Sequence, residues 1–73
     1  MFKIRIVVQQ GNKFDAMLFK DKESVGGVGK DDEGFYINLS RRLTIQESID
    51  LLKMINGLNE EFYRSEVAIR YVD

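Results

Sequence analysis

The chain has 73 residues, a formal net charge of −1 and no His, Cys, Trp or Pro. The missing His and Cys exclude thiol chemistry, imidazole proton transfer and the usual zinc sites, so no metal or cofactor is expected; the near-neutral charge gives no general attraction to nucleic acid or anionic membranes. A chain of this length forms a single domain, residues 1–73, whose core is thin enough to favour self-association.

Alternating apolar residues predict three strands in the first part of the chain. Residues 2–10 (FKIRIVVQQ) place Phe2, Ile4, Ile6 and Val8 on one face. A short turn at 11–13 and a second strand at 14–21 complete a hairpin. Residues 35–41 alternate again and predict the third strand.

Residues 22–34 are rich in glycine and charge and are predicted to form a loop. The run VGGVGKD partly matches a phosphate-binding loop, but Asp31 stands where that motif needs Ser or Thr, and a strand follows instead of a helix. Nucleotide binding is therefore rejected. The segment is expected to be a flexible connection or a recognition loop that orders on binding.

Thr44-Ile-Gln-Glu47 matches a capping box and predicts the start of a helix. The helix is expected to extend to about residue 64, with Gly57 either ending it or tolerated inside it. Residues 67–72 alternate and predict a last strand. The order β-β-β-α-β predicts an α+β fold, in which an antiparallel sheet of three to four strands packs on one helix.

The apolar face of this helix is unusually wide. From Ile45 to Leu58 it sweeps about 180°, whereas a stripe of about 100° suffices to cover a sheet. Two interpretations stay open: the margin is shielded by Phe62 and the tail, or Leu51, Met54 and Leu58 form the seam of a homodimer.

The sheet face turned away from the helix is the first candidate surface. Cations and aromatic residues share it, as they do on sheets that hold single-stranded nucleic acid, on protein-binding surfaces and on sheet-to-sheet dimer interfaces. The net charge of −1 favours protein contact. We expect the face to comprise Lys3, Arg5, Val7, Met17, Phe19, Tyr36, Asn38 and Arg70.

The acidic run Asp31-Asp32-Glu33 is the second candidate. It lacks the alternate spacing of a calcium-binding loop, so a solvated acidic tip that contacts basic groups of a partner is expected instead of a metal site. The predicted partner-binding residues are Lys30, Asp31, Asp32, Glu33, Tyr36, Arg41 and Arg42.

No catalytic residues are predicted. The four serines lack a nucleophile-elbow context, and paired-carboxylate chemistry needs a cleft that so small a domain rarely encloses. The expected function is that of a small, non-enzymatic protein-binding module, a regulator or inhibitor of the phage or mobile-element type that occludes a surface of a larger protein. With no signal peptide, no membrane span and no Cys, a cytoplasmic location is expected.

The alternative is a protein that binds single-stranded nucleic acid as a dimer through its sheet face. A hairpin, a third strand and a following helix resemble, in element order, the small coactivator-type and Whirly-type single-strand binders, which act as dimers. Under that resemblance Lys3, Arg5, Tyr36 and Arg42 would contact the strand.

Overall fold

A computed structural model describes residues 1–72 as one five-stranded sheet with a helix on one face. The first four strands form an antiparallel meander, and the fifth pairs in parallel with the fourth. Within these residues no helix is long and apolar enough to cross a membrane. In chain order the elements are β1 (Phe2–Gln10), β2 (Lys13–Lys20), β3 (Glu23–Asp31), β4 (Gly34–Leu39), α1 (Ile45–Leu58), a 3-10 helix (Phe62–Arg64) and β5 (Val67–Tyr71).

The α+β class with one sheet is confirmed, but the predicted number of three to four strands and the predicted loop at 22–34 are wrong. Most of that segment is β3, the central strand of the sheet. Val25 is an extra residue opposite β2, since Leu18 lies opposite Gly26 and Phe19 opposite Ser24. This bulge lets Val25 and Val28 both enter the core although three positions separate them, so no period-two pattern marks the strand.

The expectation of a wholly antiparallel sheet is wrong at β5. Helix α1 carries the chain back along the sheet from the end of β4, so the next strand runs in the same direction as β4. The register places Phe35 opposite Val67 and Leu39 opposite Tyr71 without a shift.

A second bulge corrects the predicted inward face of β1. Ile6 lies opposite Ala16, but Val8 lies opposite Asp15, so Val7 is the extra residue. Val8 therefore moves to the face away from the helix, where it is exposed. The bulge also twists this edge of the sheet.

The core lies between the sheet and α1. Leu51 and Ile55 are the buried residues of the helix, and Phe62 adds its ring edge-on to Phe35 at a centroid distance of 5.1 Å. Leu51 is thus unavailable to the predicted dimer seam, and Met54 packs against the core whereas Leu58 is exposed. The buried apolar residues are Phe2, Ala16, Leu18, Val25, Val28, Phe35, Ile37, Leu39, Leu51, Ile55 and Phe62.

The predicted capping box is present. The Glu47 N–H donates to the Thr44 hydroxyl at 3.0 Å, and the Thr44 N–H donates to the Glu47 carboxylate at 2.9 Å. The helix ends at Leu58 with Gly57 inside it, and only the separate 3-10 helix lies in the predicted extension to residue 64. Glu47 also pairs with Lys20 on β2, so the cap fastens the helix to the sheet.

Replacing Gly26 and Gly57 by alanine should have opposite effects on the stability of the fold. Gly26 has a φ of +149°, and a Cβ there would overlap the Asn38 carbonyl, so Gly26→Ala should lower the free energy of unfolding by about 3 kcal/mol or more. Gly57 lies exposed inside α1 with nothing near its Cβ position, so Gly57→Ala should raise it by roughly 0.5–1 kcal/mol. Urea denaturation of both variants checks the pair; equal effects would contradict the placement of β3.

The capping box also predicts a pH dependence of stability. The Lys20 ammonium, together with the Thr44 N–H, lowers the pKa of Glu47 from 4.5 to about 2. The stabilisation from the charged carboxylate is therefore present above pH 4.5 and lost as the pH falls towards 2. Gln at this position keeps the acceptor but not the charge, so Glu47→Gln should flatten the dependence of unfolding free energy on pH in that window. An unchanged slope in denaturation series would contradict it.

Candidate functional site

The sheet face turned away from α1 is open, and we call it the outer face. The register arranges it in three rows across the strands, and most of its side chains are exposed or half-buried. The rows are Lys3, Phe19 and Ser24; Arg5, Met17, Gly27, Asn38 and Arg70; and Val8, Asp15, Gly29, Tyr36 and Ala68. The predicted members of this face lie on it, except that Val7 is the extra residue of the β1 bulge.

The Tyr36 side chain lies flat across the middle of the outer face. Its ring crosses β3 over Gly29, and its hydroxyl donates to Asp15 on β2 at 2.9 Å. A Cβ on Gly29 would overlap the Tyr36 hydroxyl, so glycine is required beneath the ring. The contact joins three strands and explains one glycine of the segment predicted as a loop.

The Tyr36 hydroxyl is held as a hydrogen-bond donor. Burial of the phenol and, to a smaller extent, its hydrogen bond to Asp15 raise the pKa of Tyr36 from 10 to about 12. Because the hydroxyl is already engaged, the part of Tyr36 offered to a partner is its ring face.

Charge is separated along the strands of the outer face. Lys3 and Arg5 lie towards the end of the sheet that carries the β2–β3 turn, and Arg70 lies in the same row as Arg5. Towards the β3–β4 turn acidic groups predominate: Asp31, Glu33 and Glu66 line a shallow groove beside Tyr36, which Arg70 also lines. The outer face therefore has a basic end at Lys3 and Arg5 and a mainly acidic end beyond Tyr36.

The acidic tip is partly a structural element. Asp31 accepts hydrogen bonds from the N–H groups of Glu33, at 2.8 Å, and Gly34, at 3.2 Å, and so closes the β3–β4 turn. Asp32 pairs with Lys13 of the neighbouring turn at 2.7 Å. Across residues 1–72 no group of three or more acidic side chains is arranged to hold a metal ion.

The predicted partner-binding set does not form one patch. Lys30 lies on the helix side, with its ammonium 5.3 Å from the centre of the Phe35 ring and 3.8 Å from the Glu61 carboxylate. Arg41 and Arg42 follow the far end of β4, about 20 Å from the tip for a strand of this length. Tyr36 and Asp31–Glu33 are the members that lie close together.

Arg41 contributes to the helix cap. Its guanidinium lies 3.7 Å from the Glu47 carboxylate and 3.8 Å from that of Glu23, so its charge is neutralised within the fold. Arg42 is exposed.

The predicted nucleic-acid set is also dispersed. Lys3 and Arg5 lie on β1, Arg42 lies beyond the end of β4, and the Tyr36 hydroxyl is occupied by Asp15. A fourth strand before the helix and the parallel β5 depart from the element order on which the resemblance to single-strand binders rests. Comparisons with family models, curated proteins and solved structures found no match.

Sequence reasoning missed a second surface, the outer edge of β5. Every residue of this strand is exposed, including Ile69 at 51% and Tyr71 at 61%. Two signals were present: the alternating apolar residues of the tail and the wide apolar arc of the helix. The sequence pattern did not show that β5 lies at the margin of the sheet.

Replacing Tyr36 by Phe tests the contact across the outer face. The ring keeps its place over Gly29 but loses the bond to Asp15, so the free energy of unfolding at neutral pH should fall by about 1 kcal/mol. Because the folded pKa is raised, the stabilisation of wild type is present below pH 10 and lost as the pH rises towards 12. Alkaline titration of tyrosinate absorbance should lose its step near pH 12 in the variant; persistence of that step would contradict the assignment.

Proposed function

We propose that the chain is a small, non-enzymatic protein-binding module that covers a surface of a larger protein with its outer face. One observation carries the proposal: α1 covers only one side of the sheet, and the other side exposes an apolar centre between opposite charges. A regulator or inhibitor of the phage or mobile-element type, acting in the cytoplasm, is the role that this proposal assigns.

The centre of the outer face supports a protein contact. Met17 is 40% exposed, and Phe19 and Tyr36 are half-buried beside it. On β3, Gly27 and Gly29 have no side chains, so this part of the outer face is flat except where the Tyr36 ring lies over Gly29. Flat apolar surfaces with aromatic anchors are typical of the buried centre of protein interfaces.

The charge distribution favours protein over nucleic acid. A phosphate backbone that followed the face from Lys3 and Arg5 would reach the carboxylates near Tyr36, which repel it. A protein surface can match both ends, with acidic groups opposite Arg5 and basic groups opposite Asp31 and Glu33.

A carboxylate at the apolar centre tests the proposal. Met17→Glu leaves the core intact because the side chain is exposed, and it should weaken partner binding at least about tenfold by placing an unpaired charge in the contact. Lys53→Glu on the exposed side of α1 is a stringent control, since it changes charge by more and lies away from the outer face. Each protein serves as bait in lysate of the source cells, and affinity is then measured with the captured protein.

Three results contradict the proposal. One is equal capture by wild type and Met17→Glu; another is loss of capture with Lys53→Glu. The third is tight, salt-sensitive binding of a labelled single-stranded oligonucleotide in fluorescence anisotropy, which would favour the nucleic-acid alternative. Capture that depends on Met17 but not on Lys53, with no binding of the oligonucleotide at low salt, supports protein binding through the outer face.

A further inference from the structure

We propose that β5 pairs antiparallel with β5 of a second copy of this chain, giving a two-fold dimer with one continuous sheet. This inference goes beyond the proposed function and concerns the edge of the sheet at β5. It is carried by the free backbone groups of the strand, by an uncovered apolar strip beside it and by the charges at its two ends.

The backbone of β5 offers an unpaired edge. Phe35 donates its N–H to the Glu66 carbonyl at 3.2 Å, and Val72 donates its N–H to the Leu39 carbonyl at 2.8 Å. Even-numbered positions of this segment therefore face β4, and alternation along a strand turns the N–H and C=O groups of Val67, Ile69 and Tyr71 outward. Another strand can bond to all of these groups.

The side chains beside this edge form an apolar strip. Ile69 lies opposite Ile37 and Tyr71 opposite Leu39, so both share the helix side of the sheet, yet both are largely exposed. Leu52 of α1 lines a pocket with both side chains, and the helical repeat places Ile45, which is 82% exposed, on the same side of the helix as Leu52. The strip comprises Val67, Ile69 and Tyr71 of β5 and Ile45, Ile49 and Leu52 of α1.

The flank of α1 towards β5 carries an apolar stripe. Leu52 lines a pocket with Ile69 and Tyr71, and Ile45 and Ile49 precede Leu52 by seven and three residues, which places them on the same side of the helix. The flank towards β1 is mixed, because Glu47 and Asp50 lie there together with Met54 and Leu58. A dimer about a two-fold axis brings identical strips together, which accounts for the excess width of the helical apolar arc.

Charge complementarity fixes the register. With the two-fold axis at Ala68, each Glu66 lies opposite Arg70 of the partner subunit, and Val67 lies opposite Ile69 of the partner subunit. Glu66 belongs to the acidic end of the outer face and Arg70 to the basic row, so antiparallel strands bring unlike ends together. An axis at Ile69 would leave Glu66 and Arg70 without a partner of opposite charge, and an axis at Arg70 would place two arginines opposite each other, which is unfavourable.

The other edge of the sheet is protected. Strand β1 carries the bulge at Val7 and the cations Lys3 and Arg5, devices that discourage edge pairing. Strand β5 pairs with β4 in unbroken register and has no bulge. The second copy is therefore assigned to β5.

Charge variants at the two ends of β5 test the dimer and its register. Sedimentation equilibrium of wild type should show a dimer. Glu66→Arg and Arg70→Glu each place like charges opposite one another, so each variant alone should raise the dimer Kd by about tenfold or more at low salt. Mixing the two variants should restore wild-type affinity, because each chain then faces a partner of opposite sign.

Controls separate folding from association. Circular dichroism checks that each variant is folded, and Ile69→Lys should abolish the dimer whereas Lys53→Glu should not. A monomeric wild type at 0.1 mM, roughly the range of weak association, overturns the proposal. If Ile69→Lys still forms the dimer, the dimer does not use β5. If the mixture of Glu66→Arg and Arg70→Glu has a dimer Kd no lower than that of either variant alone, the proposed register is wrong. Since no variant alters Met17 or Phe19, failure here leaves the outer-face proposal standing.

Discussion

A single short helix has to cover one face of a five-stranded sheet. Helix α1 has 14 residues, and a helix is about 10 Å wide, whereas the outermost of five strands lie about 19 Å apart. The helix can therefore shield the central strands but not the whole face. The β5 margin on the helix side and the complete opposite face are left exposed, and both candidate interaction surfaces follow from this shortage of cover.

The central strand, β3, shows which elements of the fold a sequence pattern can and cannot predict. Alternation of apolar residues correctly predicted β1, β2, β4 and β5, although every residue of β5 is exposed, and the capping box correctly predicted the start of α1. Strand β3 carries neither signal. Gly26 leaves room for the backbone carbonyl of Asn38, and Gly29 leaves room for the Tyr36 side chain, and both partners are distant in sequence. The bulge at Val25 removes the remaining alternation of apolar residues.

The same distinction separates the parts of the candidate site. The outer face could be predicted because strand alternation assigns side chains to faces without knowledge of neighbours, and only the bulge at Val7 disturbed it. The structural contacts of the acidic tip and of Arg41 could not be predicted, since the turn closed by Asp31 and the pairs of Arg41 with Glu47 and Glu23 depend on tertiary structure. The β5 edge depends on a parallel crossover that composition alone does not indicate.

Amide hydrogen exchange of β5 at several protein concentrations tests whether the short helix leaves this edge open and whether a second copy closes it. The outward N–H groups of Val67, Ile69 and Tyr71 should exchange rapidly in dilute protein and become protected as concentration rises, whereas the Val72 N–H, bonded to Leu39, should be protected throughout. Absence of protection of these outward groups at the highest concentration would show that no second copy pairs with β5.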